Sequence, residues 1–504
     1  MNLSTFFQHY QIQDNPFASE EARHDSVFSR IESACRHPDY EKIRGDLMHP
    51  SSAIVFGERG SGKTALRLQI EDEITSHNRQ HPDERCLVIA YDELNPVLDR
   101  YARHSGKTPA DKAIETFRLV DHIDAMMSAI VPRIVDQVIG DTARDGWIDG
   151  LDASAARKLR QSDPSVRRDL LLLQLCYDRP SGAGERTRRL KRAIRVRGTS
   201  GIAGARNLAV LSLALTLAAA GYFLIFSPQQ HAWLWYLTIA LLLLLAIAAG
   251  SRALWLWGRS RRLAATLAKQ VRTLDRSAPS FSASLQHVDA QALAASGLPL
   301  TSDDDARYAM FARLLRVLRP LGYRSIIVLV DRVDEPTLVN GEPQRMKALI
   351  WPMLNNKFLQ QDGVGIKLLL PLDLRYLLER ENAEFYRSAR LDKQNLIENL
   401  SWSGAMLYDV CSARVRACRP GDAPPMSIRD FFDDAVTEQE LVDALDQLRQ
   451  PRDAFKFLYR LIQEHCANVP EERQDFKIPR PLLDSVRKQQ VERLSGMLRG
   501  VRAG

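Results

Sequence analysis

The sequence predicts an α/β fold in which a central, mostly parallel sheet is interrupted by an inserted two-helix transmembrane hairpin and followed by an α-helical region. Three observations predict it. The glycine-rich run Gly57-Glu58-Arg59-Gly60-Ser61-Gly62-Lys63-Thr64 stands between a short apolar strand pattern and a helical one. Far downstream, Ile326-Ile327-Val328-Leu329-Val330 leads without a polar residue into Asp331, as a parallel strand buried on both faces does. Between these motifs lie two apolar runs, Leu208 to Phe226 and Ala232 to Ala249, neither containing Asp, Glu, Lys or Arg. The 504 residues, 45% of them hydrophobic, suffice for about two to four domains with a sizeable core. Motif placement divides them into an N-terminal part of the sheet domain with a helical insertion (1–180), a basic-flanked hairpin (181–276, with spans 208–226 and 232–257), the C-terminal part of the sheet domain (277–398) and a helical region (399–504).

The first strand is read at Ala53-Ile54-Val55-Phe56, and Ala65-Leu66-Arg67-Leu68-Gln69-Ile70 continues the glycine loop as a helix. Strand, glycine-rich turn and helix form the context that gives the GxxxxGK[ST] pattern a chemical meaning. Gly57, Gly60, Ser61 and Gly62 let backbone N–H groups close around a β-phosphate, and the helix N-terminus adds positive potential. Lys63 reaches the β- and γ-phosphates, and the Thr64 hydroxyl ligates Mg²⁺. Upstream, Asn15-Pro16-Phe17 reads either as a loop burying its Phe or as a clamp on an adenine base. Leu87-Val88-Ile89-Ala90-Tyr91 is a second strand, ending in Asp92-Glu93. Ile114 to Ile139 has apolar residues at three and four spacing and Arg168 to Asp178 is a further helix, both read as packing elements.

The hairpin follows. Its runs have 19 and 18 residues, which at ~1.5 Å per helical residue gives roughly 28 Å, close to the hydrocarbon thickness of a bilayer. The second can extend through Trp255 and Trp257. Ser227-Pro228-Gln229-Gln230-His231 reads as a tight polar turn, with Tyr222, Trp233, Trp235 and Tyr236 at interfacial positions. Met1-Asn2-Leu3-Ser4 does not open a basic region followed by an apolar stretch, so no signal peptide is expected.

Both flanks are basic. Ser181 to Arg206 carries Arg186, Arg188, Arg189, Lys191, Arg192, Arg195, Arg197 and Arg206 against Glu185; Ser251 to Arg276 carries Arg252, Arg259, Arg261, Arg262, Lys269, Arg272 and Arg276 against Asp275. The positive-inside tendency places both ends in the cytosol and the turn outside. With 15 basic and 2 acidic residues, the flanks exceed the net charge of +7 for the whole chain and leave the remainder at −6. The basic balance therefore belongs to a collar around the hairpin. It predicts anionic membrane lipid as a partner, or else a plain topogenic signal, and speaks against nucleic acid. Six cysteines (Cys35, Cys86, Cys176, Cys411, Cys418, Cys466) form no CxxC or Cys/His cluster, which predicts reduced thiols and no structural zinc.

After the hairpin, the buried strand delivers Asp331 to the carboxyl edge of the sheet, where it would bind Mg²⁺. Asp334 and Glu335 follow closely enough for either to orient or deprotonate an attacking water. Gly365-Ile366-Lys367-Leu368-Leu369-Leu370-Pro371-Leu372-Asp373 reads as another strand, with Asp373 as its polar candidate to meet the γ-phosphate.

The phosphate loop, the acidic motif and the later Pro451-Arg452-Asp453 resemble additional-strand P-loop ATPases of the AAA+ and STAND kind. The hhhhDxhDE form of Val328 to Glu335 is similar to NACHT-type ATPases, and two membrane helices inserted between the motifs resemble the KAP group of bacterial P-loop NTPases. The resemblance implies ATP and Mg²⁺ as cofactors and homo-oligomeric assembly. It also implies a helical lid from about Asn399 to Leu498, whose Arg452 contacts the γ-phosphate as a sensor; the residue otherwise reads as an ordinary helix N-terminal position after Pro451. A multi-pass protein of the bacterial inner membrane follows, with its NTPase parts in the cytosol and a role in antiphage defence or stress signalling. The chain departs from the pattern at Arg332, which occupies the slot of the catalytic Glu in many AAA+ proteins and implies slow hydrolysis. No arginine finger is assigned among Arg375, Arg380, Arg387 and Arg390, and the resemblance does not cover Asp111 to Asp178.

The favoured functional reading is a membrane-anchored ATP-binding protein whose nucleotide state controls assembly, with the hairpins acting on the bilayer or recruiting a protein partner of unidentified kind. An energy-transducing membrane motor is the first alternative, and requires Asp334 and Glu335 to sustain turnover. A nucleotide-gated scaffold without enzymatic activity is the second. A replication-initiator-like DNA binder is not expected, because few residues follow the lid region. Since entry and exit of the hairpin both fall inside the nucleotide domain, rotation on ATP binding is expected to reach it through Ser181 to Arg206 and Ser251 to Arg276.

Overall fold

The structure, a computed structural model, describes residues 1–31, 35–105, 110–141, 148, 150–151, 154–196, 201–226, 232–288, 297–470, 473 and 475–498. Five strands, β1 (Ala53–Gly57), β2 (Arg85–Tyr91), β3 (Tyr323–Val330), β4 (Val364–Pro371) and β5 (Asn395–Ile397), form one all-parallel sheet in the order β2-β3-β4-β1-β5. Every residue of β1 and β4 is buried, as the unbroken apolar runs require. The one charge within β4, Lys367, is fully buried and donates to the Ser51 carbonyl at 2.6 Å. β1 pairs with β4 from Ala53↔Lys367 to Gly57↔Pro371, and with β5 from Ala53↔Asn395 to Val55↔Ile397.

The α/β class and the parallel sheet agree with expectation; several boundaries shift. β2 begins at Arg85, before the apolar run. β4 ends at Pro371 and a helix, Leu372–Leu378, starts at once, so Asp373 stands in the first turn of a helix rather than at a strand end. The cause is local: Pro371 has no N–H for a ladder and acts as N-cap in an extended conformation. The helix read from Ile114 begins at Leu119, after a 3-10 turn at Ile114–Thr116, because the Asp121 carboxylate accepts the Arg118 N–H at 2.9 Å and caps the end there. The helix read from Arg168 starts early, at Pro164, where the Asp163 side chain accepts from Ser165 N–H at 2.7 Å.

The chain divides into two compact units, Met1–Glu73 with Leu329–Asp334 and Gly365–Gly504, and Ile74–Val328 with Glu335–Val364. In the first, helices Gly404–Ala417, Glu438–Asp446, Pro451–Asn468 and Arg480–Leu498 enclose an aromatic core that the N-terminal segment completes. Phe6 lies 5.6 Å from Phe431, and the Tyr10 hydroxyl donates to the Phe476 carbonyl at 2.8 Å. Phe17 is buried in this core, 6.2 Å from Phe455, and the Arg414 Nε donates to the Pro16 carbonyl at 2.6 Å. Of the two readings of Asn15-Pro16-Phe17, a loop with a buried Phe is the one found.

The second unit is helical around a charged interior. Leu119–Ile139, Pro164–Tyr177, Ala183–Ala193, Ala278–Leu285 and Asp304–Leu318 pack together, and Leu119–Ile139 carries buried Asp121, Asp124 and Asp136. Each needs a partner, since an isolated buried carboxylate is very costly. Arg307 meets Asp124 at 3.2 Å and the Tyr177 hydroxyl donates to Asp124 at 2.8 Å; burial still pushes the Asp124 carboxyl up to about 6. Arg186 reaches both Asp136 and Asp178 at 2.8 Å, and Arg272 holds Asp121 at 2.7 Å. Arg276, buried, donates to the Leu175 carbonyl and to the Ser284 hydroxyl, and burial pushes it down to about 10. Five collar cations, Arg186, Arg189, Lys191, Arg272 and Arg276, are thus engaged by groups within the protein.

Two helices of this unit, Gly201–Phe226 and Ala232–Gln270, are long and apolar enough to cross a membrane. They pack against each other with Tyr222 5.2 Å from Trp235 and Phe223 5.1 Å from Tyr236. Their outward residues are bare, Leu224 being 78% and Ile225 75% exposed, which separates them from the core helices of a soluble domain. The second helix has 39 residues, roughly 58 Å at ~1.5 Å each, about twice the hydrocarbon thickness. Its C-terminal half therefore extends beyond any span it makes. The turn read at Ser227 to His231, and Arg197 of the collar, lie outside the described residues.

Candidate functional site

The glycine loop, Leu329 to Asp334 of the acidic motif, and Arg452 fall in one compact unit. β1 ends at Gly57 and the helix Lys63–Gln80 begins six residues later, so the loop is a short bridge from a buried strand to a helix N-terminus. Gly60 and Gly62 have φ of +95° and +94°, a region that L side chains rarely adopt. At Gly60 space is lacking too: a Cβ would stand 2.9 Å from Arg452 Cβ. The helix Pro451–Asn468 starts against this loop, and the Arg452 N–H points to the Gly60 carbonyl at 3.4 Å. Trp402 Nε1 donates to the Ser61 carbonyl at 2.8 Å, and Ser61 Oγ is buried with no hydrogen-bond partner among the described residues.

Lys63 folds back over the loop, its Nζ donating to the Gly57 and Glu58 carbonyls at 2.7 and 2.8 Å. Burial pushes its ammonium down to about 8, while Asp331 and Asp334 pull the other way. Thr64 Oγ1 donates to Asp331 Oδ2 at 2.9 Å, across 267 residues of sequence. Asp331 is 1% exposed; its other oxygen accepts the Arg332 N–H at 2.9 Å. Burial raises its carboxyl, and the Thr64 hydrogen bond and Arg67 oppose that rise. Arg332 adopts φ +59°, rare for a non-glycine residue, so the backbone turns sharply directly after Asp331.

Three site residues lie outside the motif reading. Arg67, buried on the helix one turn after Lys63, holds Glu71 at 2.8 Å and lies 3.5 Å from Asp331 Oδ2. Arg59 of the loop pairs with Asp334 at 2.9 Å. Trp402 is the third. Helical spacing from Lys63 could have found Arg67; nothing periodic marks Trp402.

The structure thus brings Gly57, Gly60, Ser61, Gly62, Lys63, Thr64, Asp331, Asp334 and Arg452 to one loop. Asp373, exposed, stands two residues beyond Pro371, the partner of Gly57 in the β1–β4 register. Glu335 follows Asp334 and is exposed. Chemically, the arrangement offers a glycine cradle at a helix N-terminus, a cation across it, and a hydroxyl and a carboxylate in contact. A hydroxyl beside a carboxylate is the hard oxygen donor set that a divalent cation takes when phosphate oxygens and water supply the rest. Among the described residues no group of three or more His, Cys, Asp or Glu could hold a metal by itself. No protein-family profile, curated protein or solved structure matches this chain.

Proposed function

We propose that the chain is a membrane-anchored ATP-binding protein, of the additional-strand P-loop kind and KAP-like, whose nucleotide state controls its assembly. The observation that carries this reading is the contact between Thr64 and Asp331 at 2.9 Å, at the carboxyl end of a parallel sheet and beside a lysine-capped glycine loop. The sheet order supports it, since one strand, β4, separates the loop strand from the Asp331 strand. The residues fit ATP and Mg²⁺ chemically. Lys63 and the loop amides would hold the phosphates, with the buried Ser61 hydroxyl in reserve; Thr64 and Asp331 would hold Mg²⁺, and Arg452 stands at the loop as the lid arginine. Bound Mg²⁺-ATP supplies a γ-phosphoryl group that can be cleaved. Asp334, paired with Arg59, and Glu335 are the carboxylates that would act on a water, and Arg332 after Asp331 supports slow turnover.

In this reading the two exposed apolar helices form the membrane hairpin of a bacterial inner-membrane protein, with both ends cytosolic. Copies of the chain and a further protein are its partners, together with anionic lipid, and nucleic acid is not. An antiphage or stress-signalling role follows from the family resemblance. The test uses the full chain in nanodiscs. ATP with Mg²⁺ is expected to bind and to enlarge the particle, and Lys63→Ala to lose both effects. Unchanged ATP binding in Lys63→Ala would overturn the site. Turnover at tens per second, lost in Lys63→Ala, would overturn the switch in favour of the motor.

A further inference from the structure

The hairpin helices border a cavity of about 430 Å³, within the ~300–1,000 Å³ typical of small-molecule sites. Ile202, near the start of Gly201–Phe226, forms one wall, and Leu285 and Leu298 form another. The third is a stripe on Ala232–Gln270, where Leu256, Arg259, Ser260 and Leu263 recur at helical spacing on one face. The lining is apolar with few exceptions. The Ser260 hydroxyl is already bonded to the Trp257 carbonyl at 2.8 Å. Arg259 is the one charged residue among the described lining residues, none of which is a carboxylate. Its guanidinium lies 5.6 Å from the Trp255 ring.

The level of this cavity along the helix decides what it fits. Its first residue on this helix, Leu256, follows Arg252, which ends the uncharged run, and lies between Trp255 and Trp257, which are 62% and 40% exposed, as aromatics of a membrane interface are. An apolar chamber with a single cation, continuous with a bilayer-facing helix at headgroup depth, matches an amphiphile with one anionic end. A peptide would need more polar partners than Arg259, Ser260 and Thr301, the polar side chains of the described lining. We propose that the cavity takes one acyl chain of an anionic phospholipid from the adjoining leaflet, with its phosphate against Arg259. The inference rests on the membrane reading of the hairpin and names its lipid partner and the place where it binds.

The test uses the full chain in phosphatidylcholine nanodiscs that contain a minor fraction of phosphatidylglycerol carrying a diazirine on one acyl chain. After illumination, label is expected on Leu263, Leu285 or Leu298 as well as along 208–249. The phosphatidylcholine analogue should label the cavity roughly fivefold less, the factor set by ~1 kcal/mol for one arginine near the membrane. Arg259→Gln should remove that preference. Leu263→Trp, and from the opposite wall Leu285→Trp, should each abolish cavity label while the 208–249 label persists, which shows that the variants are inserted. Label confined to 208–249, equal labelling by both lipids, or cavity label undiminished in both Trp variants would overturn the proposal and leave the membrane reading standing. Labelling by diazirine palmitate but not by the phospholipid would overturn the leaflet as source. Absence of label from 208–249 as well would overturn the membrane reading itself.

Discussion

Arg59 and Asp334 are tied together in the candidate site: Nη2 and Nε of the arginine reach the same carboxylate oxygen at 2.9 and 3.1 Å. One partner belongs to the glycine loop and the other is a candidate base, so the pair occupies a carboxylate oxygen that a water would otherwise use. Most of the Arg59 side chain is exposed, and exposed pairs contribute ~0.2–1 kcal/mol. Arg59→Ala is therefore expected to leave the melting temperature nearly unchanged and to raise ATP turnover, by up to roughly fivefold. Asp334→Asn is expected to lower turnover by about 10²-fold or more. Steady-state phosphate release in nanodiscs reads both, and an Asp334→Asn variant with normal turnover would move the role to Glu335.

Lys63 predicts a pH dependence with a definite sign. Its ammonium is held down at about 8 by burial, below the ordinary lysine value of 10.5. Between those values the unfolded chain binds more protons than the folded one, so stability contributed by this group rises as pH increases from about 8 to 10.5. Phosphate binding runs the opposite way, since it needs the charged form. ATP affinity is expected to fall as pH rises from 7 to 9, with proton uptake on binding that calorimetry in buffers of different ionisation enthalpy can count. Lys63→Arg, which stays charged throughout, should flatten the profile.

The sheet and the loop were legible because burial on both faces writes itself as unbroken aliphatic sequence, and because a positive φ at Gly60 and Gly62 demands glycine. β5 was not legible. Asn395-Leu396-Ile397 is three residues long and has no periodicity to read. The first turn of the chain was missed for a related reason: Phe6, Phe7 and Tyr10 resemble any short amphipathic segment until Phe431 and His465 are placed beside them. The collar shows the opposite error. Charge counting saw fifteen equivalent cations, yet Arg186, Arg272 and Arg276 answer buried carboxylates and carbonyls whose positions no local pattern reveals.

The buried pair of Asp124 and Arg307 carries the next prediction. Both side chains are fully buried, and the Tyr177 hydroxyl also donates to Asp124 at 2.8 Å. Removing one partner leaves an uncompensated buried charge, which costs ~3–5 kcal/mol. Arg307→Leu is expected to lower the thermal midpoint of the purified protein by several degrees or to prevent its insertion. Adding Asp124→Leu to the same chain should restore much of the loss, because two apolar side chains need no counter-charge. A double variant as unstable as the single one would show that packing volume, rather than charge, is what the pair supplies.

Gly60 gives the most discriminating variant of the loop. Gly60→Ala meets two obstacles at once, a φ of +95° and an approach of 2.9 Å to the Cβ of Arg452. The helix Pro451–Asn468 must then withdraw from the loop, or the loop must distort and lose its N–H cradle. Either way ATP affinity is expected to fall at least tenfold, about 1.4 kcal/mol. Truncating Arg452 to Ala removes its guanidinium but keeps the Cβ that makes the contact. Arg452→Ala should therefore fail to rescue Gly60→Ala, whereas Arg452→Gly should restore part of the binding by opening the space. Equilibrium binding of a fluorescent ATP analogue to Gly60→Ala and to the two double variants separates a steric role for this contact from an electrostatic one. Rescue by Arg452→Ala as full as by Arg452→Gly would show that the Cβ contact does not govern the loop.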